Sequence, residues 1–359
     1  MKHTKRKNIQ LFHKKLLRRI KRRNKVKKQA RIQRSKRPRF KILEKRENGG
    51  NRDRRKFNNI TSTLRPPNNF SLIENTEEVI QFINAVDKVK TKRHKRIFKF
   101  ELLDVINIEI CALSLLLTKI NELSSLKKHY FCSMPKNANC RKIIEDSGFL
   151  DKMRKVGSNQ KHHRNNKNLM VTRGFDKTDN KATGQMVTKS VEHLTLEKGQ
   201  SYRPLYSIIQ EICSNSIEHG NYNVEEKNWL MAVNFKTDEI EFTLTDIGEG
   251  IIKTIKKKGL DTVKHSTGLM SSEEVLLKSF EKQYNSRTLD INRNKGLPKI
   301  YDVASKNYIE NLIVITNNVL MDFSNLEKTR ELKINFNGTF YFWKLTKNCI
   351  EKWRTRTIY

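Results

Sequence analysis

The first sixty residues carry 26 lysines and arginines against three acids. Runs such as Arg18-Arg19-Ile20-Lys21-Arg22-Arg23 repel themselves too strongly to pack in one layer, so a core has to be built from the rest of the chain. Residues 1–68 therefore read as a basic arm, disordered or helical, with a helical tendency around 11–20. Such an arm neutralises phosphates by counterion release, with strong salt dependence and little sequence choice. Nonspecific nucleic acid is thus a candidate partner through residues 1–60; a tail that only raises solubility is the plain alternative. No aromatic interleaving, zinc-ligand spacing or helix-turn-helix pattern narrows that choice.

The remainder is closer to balance, with 48 basic and 35 acidic residues. From Phe70 onward Ile, Leu, Val and Phe recur in patterned blocks, which excludes disorder of the whole chain. At 359 residues the length suits about two domains. The longest mostly apolar stretch, 111–117, is far short of the roughly 20 residues of a membrane span, so no membrane partner is expected. The five cysteines (Cys111, Cys132, Cys140, Cys213, Cys349) form no CxxC pair, and three sit in apolar contexts. That usage suits a reducing compartment, and no secretory pattern opens the chain. The expected location is cytoplasmic.

A first block spans residues 69–155. Asn75-Thr76-Glu77-Glu78 offers an N-cap and acids for a first helical turn, followed by Val79, Ile80, Phe82, Ile83 and Val86 at helical spacing. Residues 96–102 read as a strand, Asn107 as the cap of an apolar helix over 108–117, 129–132 as a strand, and 138–146 as a helix ended by Ser147-Gly148-Phe149. Alternating strands and helices argue for a layered α/β structure. The strand ending at Leu103-Asp104, the helix after it and the Pro135 to Phe149 end together resemble a STAS-like domain, over about residues 70–153. Signalling members of that family carry a phosphorylated serine at the start of the helix after the strand. Here the loop reads Asp104-Val105-Ile106-Asn107-Ile108, without a hydroxyl, so the resemblance implies a structural or docking role. Residues 156–168, with His162-His163 and no carboxylate or Cys at ligand spacing, read as a polar linker.

The second block carries the chemistry. Leu205, Ile208, Ile209, Ile212 and Ile217 give a helix over 205–219 its apolar face, and Glu211, Asn215 and His219 recur every four residues beside it. Two alternating segments, 229–235 and 240–244, flank Lys236-Thr237-Asp238-Glu239 and predict a hairpin with one buried face. Its second strand runs into Asp246-Ile247-Gly248-Glu249-Gly250, an acid at a strand end followed by two glycines that permit close backbone approach. Residues 252–287, rich in Lys, Ser and Glu, read as a mobile region. Further strands are expected at 311–315, 319–323, 332–336 and 339–345.

These motifs together resemble the GHKL ATPases, the family of heat-shock chaperones, gyrase B, histidine kinases and anti-sigma-factor kinases, over about residues 170–346. The segment from Glu211 to His219 matches the N box, most closely in its anti-sigma-factor-kinase form. Asp246 to Gly250 matches the next box, Asn292 to Leu297 the junction of the ATP lid with its helix, and Asn337-Gly338-Thr339-Phe340 the late Gly-Thr box. Asn294 stands where a lid glycine is usual.

The resemblance implies ATP and Mg2+ as cofactors. Asn215 would ligate the metal and Glu211 would be the catalytic carboxylate orienting water. Asp246, with Thr339, would read the adenine amine while Gly248 and Gly250 lie against the purine. Gly296 and Leu297 would open a helix toward the phosphates, and Arg293 and Lys295 would reach them as cations. His219 divides evenly between a ligand and a packing role.

The fold expected is α+β: a Bergerat-type α/β sandwich over 169–347, a mixed sheet with helices on one face, preceded by the STAS-like block and followed by a tail at 348–359. The function expected is Mg-ATP binding with slow hydrolysis, lid closure regulating an unknown protein partner, and homodimerisation as one option. A protein serine/histidine kinase of the anti-sigma-factor type is one alternative, and a nucleic-acid-binding module with a decayed nucleotide pocket is another.

Overall fold

The computed structural model describes residues 61–153, 169–174, 180–219, 229–246, 248–258, 270–281 and 296–356. The arm through residue 60, the linker 156–168, Arg293 and Lys295 lie outside them. All contacts given below fall within Ser62–Tyr359.

The chain is α+β. Its elements are β1 (Thr61–Leu64), β2 (Asn69–Phe70), α1 (Thr76–Lys90), β3 (Ile97–Glu101), β4 (Asn107–Ile108), α2 (Ile110–Ser125), β5 (His129–Ser133), α3 (Ala138–Asp146) and α4 (Phe149–Met153), then β6 (Leu169–Gly174), α5 (Asn180–Thr195), α6 (Arg203–His219), β7 (Trp229–Phe235) and β8 (Glu239–Asp246). They continue with α7 (Ile251–Lys258), α8 (Ser272–Phe280), α9 (Gly296–Ser305), β9 (Glu310–Asp322), β10 (Arg330–Thr346) and α10 (Lys347–Arg356).

The N-terminal block holds a three-stranded sheet, ordered β1-β3-β5, and a parallel β2-β4 pair. β3 and β5 are parallel, from Ile97 opposite His129 to Glu101 opposite Ser133. β1 falls inside the stretch expected to be arm, where Leu64 is buried. α1 starts where Asn75 predicts, but the Asn75 amide donates to Asn69 O (2.9 Å) and Glu78 Oε2 (2.8 Å) instead of capping the helix. Asn107 is no cap either: it belongs to β4, and the helix begins at Ile110. Asn137 does cap α3, accepting from Cys140 N at 3.0 Å.

α2 is buried nearly all round, from Cys111 to Ile120, as befits a helix with apolar layers on both sides. Lys119 is buried with it. Its ammonium pairs with Asp87 (3.0 Å) and Glu122 (3.5 Å), and Lys90 bridges the same two carboxylates from α1. Burial of an unpaired ammonium there would be strongly unfavourable, so the four charges come as a set.

The second sheet has the order β6-β7-β8-β10-β9. Each of its four pairings is antiparallel, so the mixed sheet expected here is not what forms; parallel pairing is found in the N-terminal sheets. For two of the pairings the physical reason is the connection: a short turn at Lys236 joins β7 to β8 and a short link joins β9 to β10, as suits antiparallel neighbours.

Both faces of this sheet are covered. Trp229, Met231, Val233, Tyr341, Trp343, Leu312 and Val314 pack with α5, α6, α8, α9 and α10. The alternate residues Leu230, Phe340, Phe342, Ile313 and Ile315 pack with α1 and α2 of the N-terminal block. The hairpin thus has two buried faces rather than one, and the helices do not occupy one face alone. Ser114 of α2 meets Thr243 of β8 at 3.4 Å between hydroxyl oxygens, and on the neighbouring strand Lys333 N donates to Glu77 of α1 (2.9 Å).

Three further expectations are corrected. The four short strands expected over 311–345 are two long ones, β9 and β10, interrupted by bulges at Asn317 and Gly338, both at positive φ. Within 252–287, α7 and α8 are regular helices; α8 opens on a capping box between Ser271 and Glu274 and buries Val275, Leu276 and Phe280. The tail is helix α10, which buries Cys349 and Ile350.

Candidate functional site

α6 puts Leu205, Ile208, Ile209, Ile212 and Cys213 into the core and leaves Glu211 and Asn215, one turn apart, half-buried beside them. α9 crosses this edge. A Cβ at Gly296 would lie 3.1 Å from Glu211 Oε2 and 3.2 Å from both side-chain heteroatoms of Asn215. Glycine is therefore used here for room: α9 begins directly on the two side chains. The Lys299 ammonium, one turn further on, donates to Glu211 Oε1 at 2.8 Å. The amide nitrogen Nδ2 of Asn215 is buried and has no hydrogen-bond partner among the described residues. An unpaired buried donor costs about 1–3 kcal/mol. Gln210 Nε2 on the same helix and the indole N–H groups of Trp229 and Trp343 share this condition among the described residues, so the Asn215 donor points to a ligand only together with its place beside Gly296.

Next to Asn215 on α6, Ser216 turns to the other half of the site. Its hydroxyl donates to Ile212 O (2.9 Å) and reaches Asp246 Oδ2 at 3.4 Å. Asp246 ends β8, in register with Thr339 on β10 and Trp229 on β7. Its Oδ1 accepts from Gly248 N (2.9 Å), closing an Asx-type turn, and from Thr339 N (3.1 Å). Burial nonetheless outweighs these donors and holds the carboxyl above the usual carboxylate range. The same neighbourhood pushes the Tyr341 phenol up, through its own burial and then the Asp246 charge.

The loop after Asp246 is clamped by β9. Gly250 sits at φ +86°, and a Cβ there would lie 2.5 Å from Asn317 Oδ1. Asn317 Nδ2 donates to Glu249 O (2.8 Å), and its Oδ1 accepts from Lys253 N (3.3 Å). Thr316 Oγ1 accepts from Ile251 N (2.9 Å) and donates to Gly338 O (3.2 Å). The bulge at Thr316-Asn317 thus fixes both the glycine loop and the start of α7.

Of the predicted residues, Glu211, Asn215 and Gly296 form one cluster, and Asp246, Gly248, Gly250 and Thr339 form another, joined through Ser216. Leu297 packs its side chain against the core. The His219 side chain, Arg293 and Lys295 lie outside the described residues. Among the described residues no group of three or more His, Cys, Asp or Glu converges. A cavity of about 640 Å³ lies on the opposite face of the sheet, lined by Cys111, Ile143, Asn234, Lys236 and Thr243 among others; none of the predicted residues borders it. Among the described residues no helix is long and apolar enough to cross a membrane.

No protein-family model matches the chain, and no curated protein matches it.

Sequence reasoning missed Ser216, Lys299, Thr316 and Asn317. The pair Asn317-Asn318, set between apolar runs, reads as a break between two strands; the same polarity also marks a bulge. Lys299 had no such signal, because the segment Asn292 to Leu297 draws attention to Arg293 and Lys295 instead.

Proposed function

We propose that this site binds Mg-ATP and hydrolyses it slowly, with the second block as a Bergerat-type GHKL domain and the first as a STAS-like docking layer for a protein partner. The observation that carries the reading is Asn215 Nδ2: a buried donor suited to a phosphate oxygen, without a partner among the described residues, beside the first residue of α9, and on the same helix as the serine that contacts Asp246.

The residues present suit the ligand. The Asn215 side-chain oxygen would hold Mg2+ together with phosphate oxygens, a sharing usual for a hard cation that keeps few protein ligands. Mg2+ supplies charge neutralisation for the phosphates when bound. The first N–H groups of α9 would face the phosphates, as helix N-termini do for anions. Asp246 Oδ1 is committed to the Gly248 and Thr339 amides, which fixes the carboxyl plane; Oδ2, 3.4 Å from the Ser216 hydroxyl, would accept from an exocyclic amine. Glu211 would accept a proton from a water beside it.

Calorimetric titration tests this. Wild type should saturate with Mg-ATP and ignore Mg-GTP, and Asp246→Asn should weaken ATP binding about tenfold or more, the loss of one charge-assisted hydrogen bond. Equal ATP binding by the two proteins would refute the role of Asp246. With γ-labelled ATP, released phosphate identifies an ATPase and label kept on protein a kinase.

A further inference from the structure

We infer that Lys299 is the element that tells a nucleoside triphosphate from a diphosphate: it neutralises Glu211, and exchanges that carboxylate for the terminal phosphate when a triphosphate enters. The inference rests on the nucleotide reading above and names a residue that the motifs do not point to.

Three observations carry it. The Lys299 ammonium is 2.8 Å from Glu211 Oε1, and among the described residues Glu211 is its ion-pair partner. The pair stands where Gly296 meets Glu211 and Asn215, so the ammonium is within the same small cluster as Asn215 Nδ2, which has no partner among the described residues. The pair is also easily broken: the Lys299 side chain is 49% exposed and that of Glu211 27%. An ion pair this open is worth roughly 0–1 kcal/mol, whereas a terminal phosphate offers about two charges and three acceptor oxygens. Exchange therefore runs toward phosphate.

Pro298 supplies the reason a lysine is needed. A helix beginning at Gly296 offers four free N–H groups in its first turn, and Pro298 removes one of them. The backbone anion site of α9 is short of a donor, and the Lys299 side chain restores a cation at the same helix end.

The consequence is a coupled release. While Lys299 holds Glu211, the ammonium occupies Oε1 of the carboxylate. A terminal phosphate frees it, so Glu211 is available only when there is a triphosphate to act on. A diphosphate leaves the ion pair intact.

The test is calorimetric titration of the full chain with Mg-ATP and Mg-ADP. Lys299→Met should weaken ATP binding about tenfold and leave ADP binding within about twofold, with Lys299→Arg restoring most of the loss. Glu211→Gln, which removes the competing carboxylate, should tighten ATP more than ADP. Equal losses for ATP and ADP in Lys299→Met, no loss for either, or a Glu211→Gln protein that binds ATP no tighter than wild type would each overturn the exchange. Wild type that binds neither nucleotide removes the nucleotide reading itself, and this inference with it. Wild type that binds both, with an ATP-to-ADP ratio insensitive to Lys299→Met, removes this inference alone.

Discussion

Replacing Gly250 by alanine probes how the loop after β8 is held. At φ +86° an L-residue costs about 1–2 kcal/mol in backbone strain. The new Cβ would also lie 2.5 Å from Asn317 Oδ1 and 2.7 Å from its Cγ and Nδ2, well inside contact. Asn317 cannot simply swing aside, because Glu249 O and Lys253 N hold its amide from two directions. Overpacking of this kind costs about 1–3 kcal/mol, which brings the whole to about 2–5 kcal/mol. Asn317→Ala alone forfeits the two hydrogen bonds, about 1–3 kcal/mol, but clears the space the alanine needs. The double variant should therefore cost less than the sum of the single ones by about 1 kcal/mol or more. Urea unfolding of the four proteins, followed by tryptophan fluorescence, measures the cycle. A Gly250→Ala protein within about 0.5 kcal/mol of wild type, or strictly additive costs, would refute the clamp.

Two further outcomes are expected. The Asp246 carboxyl is held above its ordinary value of 3.8 by burial, so the folded protein binds its proton more tightly than the unfolded chain. Its contribution is then fully present below 3.8 and is lost as pH rises through the folded value. Asp246→Asn should therefore gain stability relative to wild type on going from acid to neutral pH; a gap that stays constant across urea titrations at several pH values would contradict the burial argument. Phe342 belongs to the face covered by the N-terminal block. Phe342→Ala should cost about 3–5 kcal/mol, as for a buried aromatic, and a cost below about 0.5 kcal/mol would mean that this face is open.

Local patterning made much of the chain legible. The apolar spacing of α1, the α6 stripe and the β7–β8 hairpin all follow from neighbours within a dozen residues, and the elements form where that patterning puts them, whereas the side-chain caps read at Asn75 and Asn107 do not form. What the sequence hides is long-range. Trp229 to Phe235 is buried at nearly every position because α2, more than a hundred residues earlier in the chain, covers the second face; alternation alone cannot distinguish a covered polar residue such as Thr243 from an exposed one. The polar breaks at Asn317 and Gly338 look like turns, since a residue at positive φ serves a bulge and a turn alike. In the site, the spacing of Glu211 and Asn215 and the acid before two glycines are readable as motifs. The ion pair from Lys299 joins residues 88 positions apart and has no local signature.

The central claim is that the Asn215 amide is a metal and phosphate ligand in waiting. The most direct measurement is the affinity of Mg-ATP for wild type against Asn215→Ala, with Ca2+ or no divalent ion as the control. The account predicts saturable binding by wild type that depends on Mg2+, and a loss of about tenfold or more in the variant, with little change when Mg2+ is withheld. Equal affinities of the two proteins in Mg2+, or no binding by wild type, would contradict it.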